Sequence, residues 1–139
     1  MANSTTLYKG NDGRMYVDVS ENKTLAITDC GTVQNVITDA ITVSLPATVV
    51  GYHYTIRNGG VKKTSSAAGT GDNGSALVTI LPVNGADLIA GMELTASDSD
   101  SLNNTKVTAK VGDEMSLVGN GTTGWNIESV KGIWAQIAI

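Results

Sequence analysis

The ionisable and nucleophilic side chains of this sequence are few and scattered. His53 is the single histidine and Cys30 the single cysteine among 139 residues. A catalytic triad centred on His53 would need a nucleophile and an acid beside the imidazole, and the sequence has no nucleophile-elbow pattern to supply them. Without a second cysteine, Cys30 has no partner for a disulfide, a redox motif or a thiolate metal site. We therefore predict that His53 is a surface or satisfied sheet residue and that Cys30 is a small buried or half-buried residue.

Two pairs of carboxylates are close enough in sequence to be tested for glycosidase or calcium chemistry. Asp98 and Asp100 lie two residues apart in a serine-rich stretch, and Asp113 and Glu114 are adjacent at a turn. Calcium requires six to eight oxygen ligands, and the 97–101 stretch has neither the central glycine nor the closing glutamate of a calcium-binding loop. For 97–101 we therefore predict a solvated turn. The sequence predicts no metal, no cofactor and no catalytic residue.

The glycine-rich segment and the aromatic residues leave binding functions to be considered. Residues 69–74 superficially resemble a phosphate-binding loop, but they contain no lysine and no helix is predicted after them. Tyr52, Tyr54, Trp125 and Trp134 have two interpretations. They are structural residues of the core or of a subunit interface, which we favour, or some of them line a sugar-binding face.

Alternation of apolar and polar residues predicts the elements that position these side chains. In 14–19, Met15, Val17 and Val19 fall on one face, and in 52–58 His53 falls opposite Tyr52 and Tyr54. The predicted strands are 14–19, 24–28, 32–37, 41–45, 52–58, 76–81, 105–110, 114–118, 125–130 and 133–139. The remaining predictions are a polar arm over 1–13, exposed loops over 61–75 and 97–101, a helical turn over 86–92 and a hairpin connection over 120–124.

About nine or ten short strands separated by turn residues are typical of sandwiches and barrels. The sequence therefore predicts an all-β protein, an antiparallel, jelly-roll-like β-sandwich of about 8–10 short strands. We divide the chain into an N-terminal arm with the first strand, residues 1–23, and a sandwich domain, residues 24–139.

Charge and hydropathy exclude several classes of partner. The net charge is −4 and the nine basic residues are scattered, whereas phosphate binding needs a clustered basic face, so we expect no nucleic acid. The sequence contains no apolar run of 18 residues and begins without the pattern of a secretory signal, so we expect no membrane and no export. Charged residues are 16% of the chain, below the usual quarter, which is typical of surfaces that face other subunits.

Several motifs in the later part of the chain occur together in one known group of proteins. An isoleucine-x-proline (80–82), an aspartate-x-isoleucine (87–89) and Gly91 precede glycine-aspartate (112–113), leucine-valine-glycine (117–119), glycine-tryptophan (124–125) and glycine-x-tryptophan (132–134). With 43–47 and 54–56 upstream, this order resembles small virion structural proteins of tailed bacteriophages. The likeness covers roughly residues 24–139. The motifs are more specific for the module than for its place in the particle.

The resemblance implies a capsid decoration (cement) protein. Such a protein would assemble as a homotrimer, bind the major capsid protein on the outside of the virion and stabilise the head by multivalent contact. We expect the arm (1–23) or the 61–75 loop to reach the capsid. The alternative is a fibre or spike tip that binds host glycan through an exposed aromatic platform of Tyr52, Tyr54 or Trp125. We do not expect an enzyme.

Overall fold

A computed structural model describes residues 3–60, 76–91 and 101–137, and these residues form two β-sheets packed face to face. The twelve strands in the described residues are β1 Tyr8–Lys9, β2 Met15–Val19, β3 Lys23–Thr24, β4 Val33–Val36, β5 Ile41–Leu45, β6 His53–Asn58, β7 Val78–Pro82, β8 Leu88–Ala90, β9 Ser101–Asn104, β10 Glu114–Gly119, β11 Gly124–Lys131 and β12 Ala135–Ile137. A single 3₁₀ turn, Ile27–Asp29, is the one helical element in the described part of the chain. The predicted all-β sandwich is confirmed.

The first half of the chain winds alternately through the two sheets. The large sheet has the order β1-β2-β4-β6-β10-β11-β8, and the small sheet has the order β12-β9-β7-β5-β3. From β2 to β7 each strand lies in the opposite sheet from the one before it. Successive strands of the same sheet are parallel, so that Tyr16 pairs with Val33, Val33 with Thr55, and Val43 with Ile80. The later strands β9 and β10 are then added antiparallel to β7 and β6.

The sheets are therefore mixed, where antiparallel, jelly-roll-like pairing was expected. Five of the ten strand pairings in the described residues are parallel. The alternation of side chains identifies a strand and its buried face, but it carries no information about the direction of the neighbouring strand. The parallel pairing arises because the chain crosses to the other sheet between two successive strands of the same sheet. When it returns, the second strand runs in the same direction as the first.

Several secondary-structure elements differ from those predicted from the sequence. Leu88–Ala90 is a strand and not a helical turn, because it pairs in parallel with the start of β11. The strand predicted over 105–110 was wrong, since these residues form turns, whereas the polar segment Ser101–Asn104 is a strand between β7 and β12. The predicted 61–75 loop lies outside the described residues. So does nearly all of the predicted 97–101 loop, whose last residue begins β9.

The core fills the space between the sheets with branched aliphatic and aromatic side chains. Trp125 and Tyr54 are its largest fully buried members, with ring centroids 5.5 Å apart. Trp134 is also buried but precedes β12 of the small sheet, so the two tryptophans approach the core from opposite sheets and not from neighbouring strands. No helix among the described residues is long and apolar enough to cross a membrane.

Candidate functional site

The four aromatic residues singled out from the sequence lie in or against the core. Tyr54, Trp125 and Trp134 belong to the buried cluster, and Tyr52 is partly buried with its ring edge-on to Tyr54 at 6.4 Å. Burial raises the pKa of Tyr54 far above its ordinary value, and its hydroxyl donates to the carbonyl oxygen of Ala26 at 2.9 Å. Tyr52, Tyr54 and Trp125 therefore do not form an exposed aromatic platform.

The remaining residues with catalytic potential are separated from one another. The Nε2 atom of His53 lies 2.9 Å from Glu128 Oε2 on the outer face of the large sheet, and both side chains are largely exposed. Cys30 is half-buried and packs against the core. No group of three histidine, cysteine or carboxylate side chains in residues 3–60, 76–91 and 101–137 could hold a metal ion.

The adjacent carboxylates Asp113 and Glu114 project in different directions. Asp113 is buried and accepts hydrogen bonds from Lys110 N at 2.9 Å and Asn104 Nδ2 at 3.1 Å, which closes the turn before β10. Glu114 points to the outer face of the large sheet, where Arg14 donates to it at 2.6 Å. Because Asp113 is buried at the turn and Glu114 lies on the outer face, the pair cannot converge on one substrate.

One end of the sandwich presents apolar side chains without exposed charge. Three loops meet there, 46–52, 83–87 and 120–123, and we call this surface the valine end. Val49, Val50 and Val83 are 42%, 72% and 58% exposed. The single charged side chain in these fully described loops, Asp87, is buried and accepts a hydrogen bond from Thr48 N at 3.0 Å.

Hydrogen bonds and a close approach hold the loops of the valine end together. Thr48 Oγ1 donates to Gly124 O at 2.6 Å and accepts from Gly121 N at 3.0 Å. Gly121 has a φ of 75°, and a Cβ there would lie 2.9 Å from Val50 Cγ2, so both conformation and space favour glycine. Asn120 Oδ1 accepts three backbone N–H groups of the hairpin connection. The valine end is therefore a preformed surface.

A second surface feature, the tyrosine hollow, opens on the outer face of the large sheet. Its volume is about 350 Å³, and the residues that line it include Tyr8, Gly10, Asp12, Tyr16, Asn35 and Arg57. Tyr8 of β1 pairs with Tyr16 of β2, and their rings stack with centroids 5.6 Å apart. Tyr16 is 8% exposed and Tyr8 40%.

Hydrogen bonds fix the polar groups around the tyrosine hollow. Asp12 accepts from the Tyr16 hydroxyl at 2.6 Å and from Arg14 Nε at 2.7 Å, and these bonds hold the pKa of Asp12 well below its usual value. Asn35 Oδ1 accepts from Arg57 Nη1 at 2.8 Å. Burial and the hydrogen bond to Asp18 raise the pKa of the Tyr8 hydroxyl, which keeps it protonated.

The hollow belongs to a row of polar residues that crosses five strands. Asp18, Asn35, Arg57, Glu114 and Lys131 occupy successive register positions on β2, β4, β6, β10 and β11. The alternation of residues 52–58 places Arg57, like His53, on the face opposite Tyr54 and Ile56, and the structure confirms this. The association of the five residues had no sequence signal, because they come from five separate segments.

The N-terminal arm lies along the edge of the sandwich. Asn3 fastens its start, since Asn3 Oδ1 accepts from Ser20 N at 2.8 Å and from Glu21 N at 3.0 Å. Residues 4–7 are exposed, and the chain joins the large sheet only at Tyr8–Lys9. The predicted polar arm is therefore attached to the sandwich at Asn3 and again at Tyr8–Lys9.

Comparison of the chain with protein-family models, with curated proteins and with solved structures finds no match.

Proposed function

We propose that this protein is a capsid decoration (cement) protein of a tailed bacteriophage. In this proposal it assembles as a homotrimer, binds the major capsid protein on the outside of the virion and reinforces the shell. The likeness of residues 24–139 to small virion structural proteins supports the proposal. The observation that carries it in the structure is the valine end, a rigid surface with three exposed valines and no exposed charge.

The valine end has the properties of an interface core. Interface cores contain few charged residues and are close-packed. The valine end is also already ordered, so it would lose little conformational freedom on binding. Fully burying a valine side chain contributes at most about 1.5–3 kcal/mol, so one copy of this surface would bind weakly. Three copies in a trimer would engage the shell together, and linked binding raises avidity by about 10²–10⁴ over a single contact.

The described residues form candidate binding surfaces, but they do not bring catalytic side chains together. The histidine is paired with Glu128 and the cysteine packs on the core, without a nucleophile–base pair between them. The fibre-tip alternative needed an exposed platform of Tyr52, Tyr54 or Trp125, and Tyr54 and Trp125 are fully buried. We therefore retain the decoration function as the proposal.

The test is binding of the purified protein to capsids that lack it. Val50→Glu places a charge on the valine end, and co-sedimentation with such capsids should fall at least tenfold. Val107→Glu is the matched control, since Val107 is 75% exposed and lies outside the three loops. Equal binding by Val50→Glu and the unaltered protein, with both variants folded, would refute the contact assigned here.

Two further measurements separate the parts of the proposal. Sedimentation equilibrium should give three times the chain mass of 14.3 kDa, and a monomer at micromolar concentration would exclude the homotrimer. Deletion of residues 1–7 removes the part of the arm that precedes β1 and spares that strand. If the arm carries the capsid contact, this deletion abolishes co-sedimentation; if the valine end carries it, binding persists.

A further inference from the structure

We propose that the tyrosine hollow is a binding site for a neutral saccharide, a function additional to capsid binding and independent of it. The inference rests on an aromatic ring with an open face, on polar side chains fixed around it and on the charge balance of its rim. None of these groups belongs to the three loops of the valine end.

The aromatic part of the site is the Tyr8 ring. Tyr16 covers one face of this ring, with an angle of 19° between the two ring planes, and Tyr16 is itself buried. Tyr8 remains 40% exposed, so its free surface faces the hollow and solvent. Gly10 allows the loop to lie against this pair, because a Cβ there would come within 2.3 Å of Tyr16 Cε1. An apolar face of a sugar ring can pack on such a platform as another ring does.

The polar part of the site consists of planar groups that are already oriented. Asn35 donates to Asp18 Oδ1 at 3.1 Å and accepts from Arg57. Asp12 is held by Arg14 and Tyr16. A guanidinium has five N–H donors and a carboxylate has about four lone-pair sites, so these groups keep capacity for further hydrogen bonds. Carboxylate, amide and guanidinium groups can bind neighbouring hydroxyls in pairs, and their fixed positions reduce the entropic cost.

Charge at the rim favours a neutral ligand over an anionic one. Arg14 lies 2.7 Å from Asp12 and 2.6 Å from Glu114, and Arg57 lies 3.8 Å from Glu114. The positive charge of each arginine is thus balanced by a nearby carboxylate, and Asp18 adds a further negative charge. A phosphate or an acidic sugar would have to displace these carboxylates. The volume of about 350 Å³ is at the small end of ligand sites, which suits one or two sugar units of a longer chain.

The test is saturation-transfer NMR of the full-length protein with defined oligosaccharides. The neutral probes are maltotriose, cellotriose, chitotriose and mannotriose, and the acidic probe is sialyllactose. We expect at least one neutral probe to receive saturation through its ring protons. Tyr8→Ala should weaken that binding by about tenfold, which is the upper range of an aromatic stacking contact.

Two control variants test whether saccharide binding depends on the Tyr8 ring. Tyr8→Phe retains the platform and should keep most of the affinity, and Leu7→Ala changes a neighbouring exposed apolar residue outside the hollow. Binding of no neutral probe, equal binding by Tyr8→Ala, or preference for an acidic probe would each overturn the proposal. Capsid co-sedimentation of Tyr8→Ala should be unchanged, so failure of saccharide binding and failure of the decoration function are distinguishable.

Discussion

Replacement of Asn58 by alanine should destabilise the fold more than replacement of any surface asparagine. Asn58 is fully buried at the end of β6, and its Nδ2 atom donates to Ala76 O and to Asn104 Oδ1, both at 2.7 Å. Its Oδ1 atom accepts from Ala76 N at 3.2 Å and from Gly60 N at 2.9 Å. Because Asn104 lies on β9, the amide–amide contact joins the large sheet to the small one.

The magnitude follows from the groups that Asn58→Ala leaves without a partner. Ala76 N, Ala76 O and Asn104 Oδ1 belong to fully buried residues, whereas Gly60 is partly exposed and its N–H can be hydrated. Each stranded buried group costs about 1–3 kcal/mol. Asn104 Nδ2 keeps its bonds to Asp113 and Ile133, so only the Oδ1 atom of this amide is stranded. At the lower half of that range, about 1–2 kcal/mol for each of the three groups, we expect a loss of about 3–6 kcal/mol.

Equilibrium unfolding in urea measures this loss, with fluorescence of the buried Trp125 and Trp134 as the signal. Asn126→Ala is the matched control, since Asn126 is exposed on β11 and should change stability by no more than about 0.5 kcal/mol. A loss below about 1 kcal/mol for Asn58→Ala would refute the argument, because the three stranded groups would then have found other partners. The double variant with Asn104→Ala should be less destabilised than the sum of the two single variants.

Three further changes test other features. Ala40 has a φ of 58°, so Ala40→Gly should raise the free energy of unfolding by about 0.5–1 kcal/mol in the same assay, and no gain would show that the turn is unstrained. Tyr54→Phe removes the hydrogen bond to Ala26 and should cost about 1 kcal/mol, whereas a neutral result would mean that hydration replaces it. The hydrogen bond from Lys106 lowers the pKa of Asp39 below 3.8. The ionised Asp39 therefore stabilises the fold at pH 6, and this stabilisation is lost as the pH falls through the lowered pKa. The stability difference between Asp39→Asn and the unaltered protein should therefore shrink from pH 6 to pH 3, and a constant difference would contradict this coupling.

Sequence patterns predicted the strands whose side chains alternate. Ile41–Leu45 was predicted with the bounds it has, because Ile41, Val43 and Leu45 face the core while Thr42 and Ser44 do not. β9 was missed because three of its four residues are polar, and Asn104 is buried as a hydrogen-bonding member of the interior. A buried asparagine has the same sequence signal as a turn asparagine, so only the partners in the folded chain distinguish the two.

The candidate surfaces could be predicted less well than the strands. The aromatic residues of the core were identified, but Tyr8 was assigned to a polar arm because no alternation surrounds it. Its role depends on Tyr16, which β2 places opposite it, and on Arg57, which comes from β6. The valine end had no sequence signal either, because its three loops are brought together by Thr48 and by the close approach of the 120–123 turn to Val50.

The alternate winding of β2 to β7 has a consequence for synthesis on the ribosome. Each new strand pairs with one made shortly before it, so the N-terminal half can assemble as it emerges. Until β9 and β10 are made, however, β6 and β7 each expose an unpaired edge. Open edges recruit other chains, so a pause or truncation after Pro82 should lead to aggregates. The last third of the chain thus determines whether the half-made protein stays monomeric in the cell.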